Sequence, residues 1–222
     1  MQVLKLIFAT LACSTIVLAQ NPVAADSPYQ VGYASNLNVG DSVINITNSG
    51  ARGAGLFAGT SASTTGAICV NVYAFAPEEQ MISCCSCPVT PNGLVSLSVR
   101  NNLISNTLTG ARPTSIVVKL LATVPVAGSC VNSATTPVAS SPTEASTGAT
   151  TFASGMAAWG TTLHATPTAG TYSVSETAFT PATPSAGELM RLGNLCTFIN
   201  ANGSGSGICR SCPLGGLGAE KL

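Results

Sequence analysis

Five of the nine cysteines sit in two short clusters, Cys84-Cys85-Ser86-Cys87-Pro88 and Cys209-Arg210-Ser211-Cys212-Pro213, and both clusters end in Ser-Cys-Pro. Thiols at this density do one of three things. They pair as disulfides, hold a metal as thiolates, or carry redox chemistry. A C-x-x-C facing a C-C-x-C offers four thiolates to a tetrahedral zinc or an iron–sulfur centre. Arg210 beside the thiols of a Cys209–Cys212 redox pair would favour a reactive thiolate. A redox pair usually opens a helix in a βαβ setting, whereas this one follows a helical pattern and a Gly/Ser loop.

The compartment separates these alternatives. Lys5 precedes an apolar run from Leu6 to Leu18, closed by Val17-Leu18-Ala19. That is the pattern of a secretory signal peptide over residues 1–19. Cleavage is expected after Ala19, with Ala25 as the second choice. Leu11-Ala12-Cys13 is close to a lipoprotein site, but the apolar run continues past Cys13, and Thr10 stands where a branched aliphatic residue belongs. Removing the leader leaves eight cysteines, Cys69, Cys84, Cys85, Cys87, Cys130, Cys196, Cys209 and Cys212, in an oxidising place. Disulfides are therefore expected over a metal or redox site. Cys84, Cys85 and Cys87 have Cys69, Cys130, Cys196, Cys209 and Cys212 as partners to choose from. Cys209 and Cys212 could join each other, or one could pair with Cys196 or reach the first cluster. Direct Cys84–Cys85 pairing would strain the peptide between them.

Other chemistry finds few residues. The chain has one histidine, His164, and two aspartates, Asp26 and Asp41. Gly40-Asp41-Ser42 matches the start of a serine esterase block, yet no aspartate lies near His164 in sequence. Gly203-Ser204-Gly205-Ser206-Gly207 has glycine where a nucleophile elbow needs serine. Glu78-Glu79 follows Pro77 in a turn pattern and reads as a solvated pair, not as a glycosidase acid and base. Gly53-Ala54-Gly55-Leu56-Phe57-Ala58 fits a nucleotide-binding glycine pattern only on paper, because no helical pattern follows. The formal net charge is zero and only 7% of residues are charged, which gives no case for nucleic acid. No cofactor is expected, and no membrane span after the leader is removed. Trp159 and Tyr172, with Tyr73 and Phe75, could stack on a sugar.

These residues must be positioned by strands. Residues 20–36 carry Pro22 and Pro28 and read as an extended lead-in. Ile44 and Ile46 alternate with Val43, Asn45 and Thr47, the pattern of a half-buried strand. Ile68 to Phe75 is apolar on both faces. Leu94 to Val99 alternates, and Thr114 to Val124 reads as the longest strand, with Lys119 outward. Such spacing predicts a mainly β fold: an antiparallel β-sandwich over 37–130, an immunoglobulin-like arrangement being one form of it. Residues 131–150 are Ser/Thr/Pro-rich, a linker or surface loop. Trp159 to Ala165 and Thr171 to Thr177 predict an added β-hairpin. Phe152, Met156, Trp159 and Leu163 also have helical spacing, which Gly155 and Gly160 oppose. Ser185 and Glu188 form a capping-box pattern ahead of Leu189, Leu192, Cys196 and Ile199, so one α-helix is expected. Hairpin, helix and second Cys cluster, 151–213, are expected to pack on the sandwich, leaving 214–222 as a tail.

Asn71-Val72-Tyr73-Ala74-Phe75, the Cys84–Gly93 block and Cys196 to Cys212 resemble a group of secreted bacterial proteins sharing a CCSCP…CxxC framework. The resemblance covers about half of the chain beyond the leader. It implies export and a shared cysteine framework but no reaction. Asp41 to Ala51 also resembles the first strand of exported immunoglobulin-like modules. The composition and the framework together predict a non-enzymatic exported protein at the cell surface or outside the cell, an adhesin or assembly subunit stapled by disulfides. Its partner would be a protein or glycan surface, or further copies of itself. The alternatives are a carbohydrate-binding module and a Cys-cluster metal or redox protein.

Overall fold

The computed structural model describes residues 27–55, 65–130, 151–209 and 212. The leader with Cys13, the segment 131–150, the tail 214–222 and part of the Gly53–Ala58 pattern lie outside the described residues.

The fold is mainly β, as the alternation predicts. Nine strands form two antiparallel sheets. In chain order they are β1 (Tyr29–Ala34), β2 (Ser42–Asn48), β3 (Ile68–Phe75), β4 (Met81–Val89), β5 (Leu94–Ser98), β6 (Ile116–Thr123), β7 (Met156–Ala165), β8 (Tyr172–Ala178) and β9 (Thr180–Pro181), followed by helix α1 (Ala186–Ala201). The five-stranded sheet runs β4-β3-β6-β1-β9, and the four-stranded sheet β5-β2-β7-β8. Ile44 and Ile46 of β2 and Val95 and Leu97 of β5 meet Val70 and Val72 of β3 and Val118 and Leu120 of β6 in one buried core. A second apolar layer lies on the other face of the five-stranded sheet. There Tyr29, Tyr73, Phe75, Met81, Cys84 and Leu121 pack against Leu192, Cys196 and Ile199 of α1. Covered on both sides, β3 is buried along its whole length, which is why its sequence does not alternate.

Several boundaries differ from the expected ones. The lead-in 20–36 contains β1, paired with β6 from Tyr29↔Leu121 to Ala34↔Ile116. Its period is hidden by Gln30, which is buried and donates to Met156 O at 3.0 Å, and by Gly32. A Cβ on Gly32 would stand 2.3 Å from the Phe179 ring, so the ring takes the place of a side chain. The hairpin forms, but β7 is internal to its sheet, paired with β2 over seven positions. Residues 37–130 and 151–213 therefore share sheets and do not divide as body and attachment. The longest strand is β7, with ten residues. None of the bridges described below joins one sheet to the other, so the inter-sheet bridge of antibody-type sandwiches is missing among the described residues.

The helix forms as its sequence indicates. Ser185 Oγ accepts from Glu188 N at 3.1 Å, satisfying an orphan donor of the first turn. Lys119, outward on β6, reaches Glu188 Oε1 at 2.6 Å and lies 4.8 Å above the Phe75 ring. Arg191 approaches the same ring at 5.6 Å. Two helix-side contacts thus converge on one aromatic residue of β3.

Candidate functional site: the cysteine-stapled edge of β4

Strand β4 is the edge of its sheet and carries the three cysteines of the first cluster. Pro88 is tolerated there because an edge strand has a side with no ladder partner. Ser83 pairs with Ala74 and Met81 with Phe75, so Ile82 is an extra residue, a β-bulge. The bulge resets the alternation. Met81 and Cys84 face the helix layer, while Cys85, Cys87 and Val89 belong to the inter-sheet layer.

The helix then delivers the second cluster. After α1 the chain turns at Gly203 and runs alongside β4. Cys84 N donates to Gly207 O at 2.8 Å, Cys209 N donates to Cys84 O at 3.2 Å, and Cys84 and Ile208 form a parallel bridge. Gly207 has φ +82°, and a Cβ there would meet Ile199 Cγ2 at 2.8 Å, so glycine is required on both counts. The exposed backbone of an edge strand invites pairing with other chains; here the chain covers part of that edge with its own C-terminal segment.

Four disulfides use all eight expected cysteines. Cys84 is bridged to Cys196, Cys85 to Cys209, Cys87 to Cys212, and Cys69 to Cys130, with Cα separations of 5.8, 5.3, 5.5 and 5.3 Å. Of the pairings left open by the sequence, Cys209 with Cys212 and Cys196 with either of them do not occur. Both C-x-x-C thiols reach the first cluster, and Cys196 takes Cys84 because the two share the helix layer. The Sγ atoms of Cys85, Cys87 and Cys212 lie within 4.8 Å of one another.

The remaining candidates are dispersed. Trp159 is half-buried and Tyr172 is 50% exposed. Both lie on the outer face of the four-stranded sheet, but Tyr172 is opposite Ala165, six positions along β7 from Trp159. At ~3.3 Å per residue that is about 20 Å, too far for one stacking platform. Tyr73 and Phe75 are buried beneath α1. Glu78 and Glu79 are exposed in the β3–β4 turn, where Glu79 has φ +67°.

Asp41 and Ser42 have structural partners. Asp41 accepts hydrogen bonds from Ser98 Oγ and, at 2.9 Å, from Arg100 N, holding the π-helical turn Val99–Leu103. Ser42 Oγ donates to Ser35 O at 3.1 Å. His164 stands in a row that the sequence did not reveal, Asn36–His164–Ser175. Its Nε2 is 2.7 Å from Ser175 Oγ and its Nδ1 is 3.2 Å from Asn36 Nδ2. Asn36 Nδ2 also donates to Leu163 O at 3.1 Å, which fixes the amide as the donor to Nδ1. The ring's other nitrogen, Nε2, faces the Ser175 hydroxyl. This row fastens the hairpin to the β1–β2 loop.

Asn48 is a second group the sequence did not single out. It is fully buried; its Nδ2 donates to Gly66 O and Val89 O, both at 2.9 Å, and its Oδ1 accepts from Gly50 N at 2.9 Å. Two tyrosines under the helix have perturbed phenols. Burial, with a smaller contribution from Glu188, pushes Tyr29 up to about 12. Burial, and then Tyr29, pushes Tyr73 up as well.

No known protein-family model matches the sequence, and no curated protein does. Among solved structures the chain is similar to one described as the crystal structure of Thermotoga maritima 1070. The likeness has 8% identity and a TM-score of 0.40, over 72% of this chain and 99% of that one. At that level it carries no argument about function.

Proposed function

We propose that this is an exported protein of the cell surface or extracellular space that acts by contact and not by catalysis, as an adhesin or assembly subunit. The observation that carries the reading is the contrast between two sheet edges. The β4 edge is covered by its own chain and pinned by three bridges. Strand β8, at the end of the other sheet, is exposed along all seven residues, with Val174 59% and Tyr172 50% exposed. An open edge strand with apolar side chains favours strand-to-strand association. The low charge content, 7% of residues, offers little repulsion against it. Four disulfides are compatible with an extracellular protein. No helix among the described residues is long and apolar enough to cross a membrane.

The test is fractionation of the native host followed by sedimentation of the purified protein. The reading requires protein outside the cytoplasm. It also requires association, with itself or with surface material, that Val174→Lys weakens at unchanged thermal stability. A cytoplasmic monomer indifferent to Val174→Lys would defeat it.

A sugar-binding role has one specific observation behind it. Beside the half-buried Trp159 lies a polar row in which Ser96 Oγ donates to Asn45 Oδ1 at 2.7 Å and Asn45 Nδ2 to Thr161 Oγ1 at 3.3 Å. Selective glycan-array binding lost in Trp159→Ala would favour that role over protein contact.

A further inference from the structure

The Cys85–Cys209 and Cys87–Cys212 bridges at the β4 edge are a site in their own right. Cys85 and Cys87 are two residues apart on one strand, so their side chains leave the same face. Opposite them stands Cys209-x-x-Cys212, a spacing that suits metal chelation. Three of the four sulfurs already lie within 4.8 Å of one another, and the fourth, of Cys209, is bonded to Cys85. A tetrahedral zinc with bonds of about 2.3 Å sets its sulfurs about 3.8 Å apart, so small movements would suffice.

What keeps Cys209 beside β4 does not depend on these two bridges alone, while Cys212 is placed by its bridge to Cys87 and by its Sγ lying 3.8 Å from Ser86 O. The C-terminal segment is also held by Cys84 N to Gly207 O, by Cys209 N to Cys84 O, and by Gly207 N to Asn106 O at 2.6 Å. Asn106 Nδ2 adds a bond to Gly205 O at 2.7 Å. The Cys84–Cys196 bridge, buried at both ends, anchors the helix that leads into it. Access separates the bridges as well. Cys85, Cys209 and Cys212 are half-buried and Cys87 is buried, so each of the two bridges has at least one reachable sulfur, whereas neither sulfur of Cys84–Cys196 is open to an attacking thiolate.

We propose that Cys85, Cys87, Cys209 and Cys212 form a reducible site that exchanges two disulfides for one zinc ion. Two molecules of a dithiol each reduce one bridge to two thiols and leave as cyclic disulfides. Zinc(II) then binds the four thiols as thiolates and four protons are released to solvent. The Cys84–Cys196 bridge stays closed throughout.

The experiment uses the full chain, purified oxidised. It is treated with a dithiol, freed of the dithiol without oxygen, and titrated with cobalt(II) and then zinc(II). One equivalent of cobalt with the charge-transfer and ligand-field bands of a four-thiolate tetrahedral site is expected, displaced by one zinc. Alkylation of the zinc-loaded protein should leave Cys85, Cys87, Cys209 and Cys212 unmodified, and removing zinc should expose all four. This map needs no variant, so it stands even if substitutions misfold. Cys69→Ser with Cys130→Ser should still bind one equivalent, and Cys87→Ser with Cys212→Ser should lose the four-thiolate bands. No bound cobalt, or zinc protection that falls on Cys84 and Cys196 or on Cys69 and Cys130, would overturn the proposal.

Discussion

Cys84 and Cys196 are 112 residues apart in sequence and 5.8 Å apart at their Cα atoms, both wholly buried. Through this bridge the edge strand and α1 become one covalent unit, and the C-terminal segment is carried to the strand it covers. In the chain-entropy view, closing so long a loop removes much of the freedom of the unfolded chain. Replacing both residues, Cys84→Ala with Cys196→Ala, should lower unfolding free energy by about 2–5 kcal/mol. Hydrogen exchange should show α1 losing protection more than β2 or β7. Equal loss across both sheets would contradict the proposed anchoring.

The close approach of Gly32 to Phe179 gives a second prediction. Gly32→Val should cost about 1–3 kcal/mol through overpacking, because the ring cannot move without opening the inter-sheet core. In a Phe179→Leu background the same change should cost less, and urea melts of the four proteins measure the coupling. Strictly additive costs would mean that the ring is not what excludes a side chain at this position.

Asn48 offers a third. Its substitution by Ala leaves the carbonyls of Gly66 and Val89 without their donor and the Gly50 amide without its acceptor. A loss of about 1–3 kcal/mol is expected for such unpaired buried groups. Asn48→Asp keeps an acceptor but no amide donor and should not rescue. Thermal denaturation of the two variants checks this, and a stable Asp variant would count against it.

The perturbed tyrosines set an alkaline limit. Tyr29 has its phenol raised from 10.0 to about 12 by burial and then by Glu188, and burial raises Tyr73 as well. Between these values the unfolded chain gives up phenolic protons that the folded chain keeps. Stability is therefore full below pH 10 and falls as pH rises from 10 toward 12. Urea unfolding across that window should show the decline, and Tyr29→Phe should make it shallower. A decline as steep in Tyr29→Phe as in the parent would remove this phenol from the account.

Local rules made much of the architecture legible. Ile44 and Ile46 alternate because one face of β2 is covered, and Lys119 is the one charged residue of β6, on the face where it meets a helix carboxylate. Ser185 announced α1 through an oxygen that caps it. The rest depends on contacts remote in sequence. Gly32 reads as a break in a strand until Phe179 is seen above it. The bulge at Ile82 shifts Met81 and Cys84 relative to a simple two-residue period. Which cysteine meets which was not readable, because pairing follows the layer each one faces: Cys84 and Cys196 share the helix side, and Cys85 and Cys87 lie where the C-terminal segment crosses. The Asn36–His164–Ser175 row joins a loop to a hairpin more than a hundred residues on, and no spacing pattern marks it.

The most direct test of the central claim, an exported protein closed by its own disulfides, is a non-reducing peptide map of the native protein recovered from outside the cytoplasm. The account predicts recovery there, an intact mass about 8 Da below that of the eight-thiol chain, and linked peptides joining Cys69 to Cys130, Cys84 to Cys196, Cys85 to Cys209 and Cys87 to Cys212. Native protein found in the cytoplasm with its cysteines as free thiols would contradict it.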